Sequence, residues 1–112
     1  MFDFEKLIVY KKAKKYNITI NNLLKELNLD RTEKDQLKRA SLSIMLNIAE
    51  GSGRYTKPDK RRFYVISRGS VFECVAIIDY LHDLNYLNKE QFIYIYNDLE
   101  ELSRILYSLI NK

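Results

Sequence analysis

The residues with chemical potential are few and scattered. Ser70 and Cys74 are nucleophile types, His82 is the single imidazole, and Asp79 with Asp83 places two carboxylates four positions apart. A relay of hydroxyl, imidazole and carboxylate needs these groups in register. His82 follows Ser70 by twelve residues and no acid is spaced to orient it. Cys74 lacks neighbouring cations that would favour its thiolate, so it reads as a small buried apolar side chain. Two aspartates alone specify neither a metal nor an acid-base pair, and one Cys with one His cannot build a structural zinc site. The run Asn47-Ile48-Ala49-Glu50-Gly51-Ser52-Gly53-Arg54 invites comparison with phosphate loops. It follows a helical pattern instead of opening one after a strand, and the Lys-Ser/Thr ending is absent. No catalytic residue, metal or cofactor is expected.

Charge offers a second kind of chemistry. Residues 1–68 hold 16 basic and 8 acidic side chains, whereas residues 69–112 hold 3 basic and 7 acidic ones. Lys6, Lys11, Lys12, Lys14 and Lys15 form one basic cluster, and Arg54, Lys57, Lys60, Arg61, Arg62 and Arg68 form another, with Tyr55 available for base stacking. Such clusters suit phosphate contacts to RNA or DNA; a solvated basic face explains them equally well. The opposite sign of the two parts also suits neighbouring subunits that orient one another.

These groups must be positioned by helices. With 112 residues, three Gly and one Pro, the chain has the length of one domain, residues 1–112, and few breakers. Val9, Ala13, Tyr16, Ile20, Leu23 and Leu27 alternate steps of four and three, predicting a helix from Phe4 to about Leu27 that carries β-branched Ile18–Ile20 along. Thr32 with Asp35 reads as the cap of a second helix, with Leu37, Ala40, Ser41, Ile44 and Ile48 at core spacing. Gly51 and Gly53 are expected to end it by left-handed conformations. Thr56 caps a third helix reaching about Leu84, with Phe63, Ile66, Ser70, Ile77, Leu81 and Leu84 inward and Gly69 marking a close helix crossing. Asn88 and Gln91 cap the fourth, where Phe92, Ile95, Leu99, Leu102, Leu106 and Leu109 give the cleanest stripe. Short connections then predict an all-α, antiparallel up-down four-helix bundle. Glu50, at a helix carboxyl end, is expected to pair with Arg54, Arg61 or Arg62. Apolar and tyrosine side chains outnumber the core positions, which favours a homo-oligomer. The lone Cys74 and the absence of an apolar run of membrane length lead to the expectation of a cytoplasmic protein with no membrane partner.

Two segments carry a resemblance. Gln36, Leu37, Arg39, Ala40, Ser43, Ile44, Asn47, Ile48, Ala49, Glu50, Gly51, Gly53 and Arg54, then Arg62, Phe63, Arg68, Gly69, Ser70 and Glu73, resemble the four-helix bundle family encoded by bacterial 23S rRNA intervening sequences. The resemblance spans nearly the whole chain. It implies a homopentameric bundle without established enzymatic activity, in which Asn47, Glu50, Gly51, Gly53, Arg54, Arg68, Gly69, Ser70 and Glu73 serve structure or interfaces. A related branch looks like the accessory variability determinant of diversity-generating retroelements, a basic pentamer that associates with reverse transcriptase and nucleic acid. Met45 and Ser67 depart from the small residue and the alanine usual at those places. The leading expectation is a noncatalytic oligomeric scaffold that recruits a protein partner; the alternative is a nucleic-acid-binding accessory protein.

Overall fold

The computed structural model describes all 112 residues. A 3-10 turn at Asp3–Lys6 precedes four helices: α1 (Ile8–Glu26), α2 (Arg31–Ser52), α3 (Lys57–Asp83) and α4 (Lys89–Ile110). Each helix packs on its chain neighbour and α1 closes against α4, with no diagonal packing. The result is an up-down four-helix bundle 44 × 25 × 21 Å across.

The first helix starts later than the stripe predicts. Leu7 is extended (φ −73°, ψ 128°) and separates the 3-10 turn from α1. Its side chain packs on the core, and the preceding turn lies against α1 and α2. Within α1, Val9, Ala13, Tyr16 and Ile20 are buried as the stripe predicts; Leu24 continues it, leaving Leu23 and Leu27 half-buried. The β-branched run Ile18–Ile20 is helical, because tertiary burial of Ile20 outweighs a weak local preference.

Helix starts follow capping chemistry in two of three cases. Thr56 Oγ1 accepts from the Asp59 amide at 3.2 Å. Asn88 and Gln91 form a reciprocal capping box with bonds of 2.7 and 3.0 Å. Thr32 does not cap α2, which begins at Arg31 behind an extended Asp30. Leu29, in the connection just before it, is buried.

Glycine works differently from the expectation. Neither Gly51 nor Gly53 has positive φ; the left-handed residue is Asn85 (φ 68°). There the amides of Tyr86 and Asn85 bond the carbonyls of Leu81 and His82, both at 3.0 Å, closing α3 with a Schellman turn. Gly51 instead lies buried in the last turn of α2. A Cβ at this position would meet Phe63 Cβ and Tyr64 Cε1 at 3.0 Å, so the close crossing predicted at Gly69 occurs here. Gly69 is exposed, with nothing within 4 Å of a Cβ.

The inward stripe of α3 is also displaced. Tyr64, Ser67, Val71, Cys74 and Ile78 are buried beside the expected Phe63, Ser70 and Leu81, whereas Ile66 and Leu84 are each 44% exposed and Ile77 is only half-buried. Ser67 explains the shift. Its Oγ donates to the Ile44 carbonyl at 2.8 Å, and this small, satisfied hydroxyl lets α2 and α3 pack more extensively than any other pair.

Candidate interaction surface

At the lower end of the bundle, the carboxyl ends of α2 and α4 lie beside the amino end of α3. Helix carboxyl ends leave carbonyls without intrahelical partners and carry partial negative charge. Lys60 Nζ donates to the Ser52 carbonyl at 2.8 Å, and Arg61 Nε donates to the Ile110 carbonyl at 3.1 Å. These two side chains therefore cap neighbouring helices. A cleft of about 530 Å³ opens beside them, bordered also by Lys57, Tyr64 and Lys112.

The remaining arginines of this cluster are similarly engaged. Arg54 Nη2 meets Glu50 Oε1 at 3.2 Å, and its Nε lies 3.8 Å from Asp59 Oδ2. Arg62 pairs with Asp59 at 3.2 Å rather than with Glu50. Both guanidinium groups stack on Phe63, with ring-centre distances of 4.5 and 4.6 Å. Lys57 makes no ion pair within the chain, and Tyr55 is fully exposed. On α1, Lys12 pairs with Glu101 at 3.1 Å. Burial raises the carboxyl pKa of Asp98 above its ordinary value, while Lys15 and Lys12 pull it back. Lys11 and Lys14 remain exposed and unpaired. The two basic sequence clusters thus divide into bound framework and free cations.

Between α2 and α3 runs a polar seam. Asn47 Nδ2 donates to the Ser43 carbonyl at 2.8 Å and contacts Ser43 Oγ at 3.1 Å, while Ser70 Oγ donates to that same hydroxyl at 2.8 Å. Further up, Gln36 donates to Glu73 at 3.3 Å and accepts from Arg39 at 3.1 Å. Arg68 turns toward α4 instead. It donates to the Ser103 carbonyl at 3.2 Å and stacks over Phe72 and Tyr107. Asn47, Ser70 and Glu73 therefore share one groove, Glu50, Gly51, Gly53 and Arg54 lie at its lower end, and Arg68 is on the far side of α3.

Reactive residue types are held in unreactive settings. Cys74 is buried, and burial raises its thiol pKa. Its sulfur lies 3.6 Å from Ser41 Oγ, which donates to the Tyr16 hydroxyl at 3.1 Å. Burial also drives the Tyr16 pKa well above its ordinary value. This node satisfies polar atoms inside the core. Ser70 Oγ is occupied by Ser43, and His82 stacks on Phe92 at 4.5 Å between ring centres. No three His, Cys, Asp or Glu side chains gather to hold a metal. No helix is long and apolar enough to cross a membrane.

Sequence reasoning misses what covers the outside. Val65, Ile66, Phe72 and Tyr80 are exposed along the outer side of α3, and Gly69 lies open among them. The displaced stripe is the reason: the spacing turns Ile66 inward, and Ser67, unlike Ser70, gives no sign of its burial.

The fold and its sites define an all-α up-down bundle whose distinctive features are surface grooves and helix-end contacts, with nothing that points to catalysis. Residues 5–108 match the family model described as 23S rRNA-intervening sequence protein, and the chain belongs to that family. Its backbone is similar to that of a protein of unknown function from the S23 ribosomal protein family of Bacteroides thetaiotaomicron VPI-5482, solved at 1.70 Å, with a TM-score of 0.88 and 24% identity over 94% of this chain and 100% of that one. That likeness shows the fold. No curated protein matches the chain.

Proposed function

We propose that this chain is a noncatalytic, cytoplasmic homo-oligomeric scaffold whose assembled surface recruits a protein partner. The observation that carries the reading is the outer side of α3, where Val65, Ile66, Phe72 and Tyr80 surround an open Gly69. A solitary bundle gains nothing from glycine in the middle of an exposed helix, which costs about 1 kcal/mol relative to alanine. Close approach of another chain offsets that cost. The isolated chain exposes 7232 Å², against about 6,500 Å² expected for a monomer of its mass. Five subunits are the number the family resemblance implies.

Sedimentation velocity and native mass spectrometry across micromolar concentrations test the assembly. An oligomer is expected, and monomer throughout overturns the reading. Affinity capture with the assembled protein, compared with a dissociated surface variant, tests recruitment; equal capture by both forms contradicts a role for assembly.

A nucleic-acid accessory role, including one alongside a reverse transcriptase, is favoured by a different observation: Lys11, Lys14 and Lys57 are free of ion pairs within the chain, and Tyr55 is fully exposed. Repetition in an oligomer would multiply these cations. This reading expects structured RNA or single-stranded DNA to add mass in native spectra, with affinity falling steeply as salt rises. Binding that is absent at low salt, or insensitive to salt, removes it.

A further inference from the structure

We propose that the cleft at the lower end of the bundle, between the start of α3 and the end of α4, binds a phosphate monoester that carries an apolar or aromatic group. The inference is independent of whether copies of the chain assemble. Lys57, Lys60, Arg61 and Lys112 border this cleft of about 530 Å³, and no carboxylate side chain lines it. Its volume falls within the range of about 300–1,000 Å³ typical of small-molecule sites. None of the four cations has an ion-pair partner within the chain, whereas neighbouring Arg54 and Arg62 share Asp59.

Two of the four are held in place before any ligand arrives. The Ser52 carbonyl takes Lys60 Nζ, and the Ile110 carbonyl takes Arg61 Nε, which leaves the terminal nitrogens of Arg61 free. Four like charges around one cleft repel one another, and an anion among them relieves that repulsion. A phosphate monoester, close to doubly charged at neutral pH, answers four cations more fully than a single carboxylate. A guanidinium group can also meet it through two parallel N–H bonds.

Tyr64 supplies a second, independent observation. It lines the cleft and is only 8% exposed, yet its hydroxyl makes no hydrogen bond within the chain. A buried tyrosine hydroxyl ordinarily finds a partner. Burial raises its pKa, so the phenol keeps its proton and serves as a donor to an anion. The amino end of α3 contributes little by itself, because Pro58 has no N–H and Thr56 Oγ1 already takes the Asp59 amide. Side chains therefore make the site. Pro58, Leu109 and Ile110 add apolar surface that inorganic phosphate would leave uncovered, which selects an ester with an organic body.

Calorimetry and amide chemical-shift mapping on the full chain test the site with phenyl phosphate, inorganic phosphate and phenol. Phenyl phosphate should bind at least about tenfold more tightly than either fragment, with shifts at residues 57–64 and 109–112. Lys57→Gln/Lys112→Gln removes two exposed cations and should weaken binding by about tenfold or more. Lys14→Gln/Lys38→Gln makes the same change of charge between α1 and α2 and should leave binding unchanged. Tyr64→Phe keeps the ring and should weaken binding by about threefold or more. Far-UV circular dichroism verifies that each variant is folded, and the lysine pair decides the matter if Tyr64→Phe is not. A short oligonucleotide with and without a 5′-phosphate separates two sources of the same group: capture of the phosphorylated strand alone assigns a strand end, and phenyl phosphate binding without that preference assigns a free ester. The proposal is overturned if phenyl phosphate does not bind, if either fragment matches it, or if the shifts lie elsewhere. Equal weakening by the two lysine pairs also overturns it, since that signals general charge attraction.

Discussion

The two sides of α3 both mix small and large residues, the inward one keeping Phe63, Tyr64, Val71, Ile78 and Leu81 buried among its small ones. Inward, Ser67, Ser70 and Cys74 occupy buried positions; outward, Val65, Ile66, Phe72 and Tyr80 are exposed around Gly69. The inner side uses small residues to bring α2 and α3 together, with Ser67 bonded to the Ile44 carbonyl and Ser70 to Ser43. The outer side has size without a partner inside the chain. Small residues therefore mark close contact already made on one side and space still open on the other. Composition is a poor guide to which side is buried, because a hydroxyl bonded to a neighbouring helix loses little on leaving water.

The inner side is broken most severely at Gly51. Gly51→Leu forces side-chain atoms into Phe63 and Tyr64, which already lie 3.0 Å from a Cβ position. Loss of about 3 kcal/mol is expected, measured by urea unfolding. On the outer side, Phe72→Asp should leave the far-UV spectrum and monomer stability nearly unchanged while raising the half-assembly concentration by about tenfold or more. A large stability loss without an assembly defect would transfer Phe72 to the inner class. Ser67→Ala removes the hydroxyl bonded to the Ile44 carbonyl and should cost about 1 kcal/mol in the same unfolding assay.

Gly69→Ala separates the two sides by sign. Nothing lies within 4 Å of the new Cβ, so the subunit should gain up to about 1 kcal/mol of helix stability. Assembly should weaken if another chain approaches there; stronger assembly would show that the open glycine is not an interface contact. The smallest effect is expected at Asp98. Burial raises its folded carboxyl pKa above the ordinary 3.8, so ionisation opposes folding as pH rises through the folded value. Asp98→Asn should raise the melting temperature slightly at pH 7, and the difference should vanish below pH 3.8, where the carboxyl is protonated in both states. A fall at pH 7 would show that attraction to Lys15 and Lys12 outweighs burial.

Periodic apolar residues make the four helices legible. Ile95, Leu99, Leu102 and Leu106 repeat without interruption, and the capping chemistry of Thr56 and Asn88 is local enough to read directly. The inward face of α3 is less legible because Ser67 enters the core through a hydrogen bond to a carbonyl 23 positions away. A similar limit applies to charge. Lys60 and Arg61 look like free cations in a basic run, yet they bond carbonyls at the ends of α2 and α4. Arg54 and Arg62 share Asp59 and the Phe63 ring, whereas Lys11, Lys14 and Lys57 have no ion-pair partner within the chain.

By itself the sequence determined helix number, helix order, the up-down topology and the family resemblance, because periodicity, caps and short connections act over a few residues. Only the tertiary structure decided that Gly51 is a packing position, that Gly69 is open and which basic side chains are committed to helix ends. Those outcomes depend on atoms brought together from distant segments, whose packing and electrostatic partners exist only when the bundle closes.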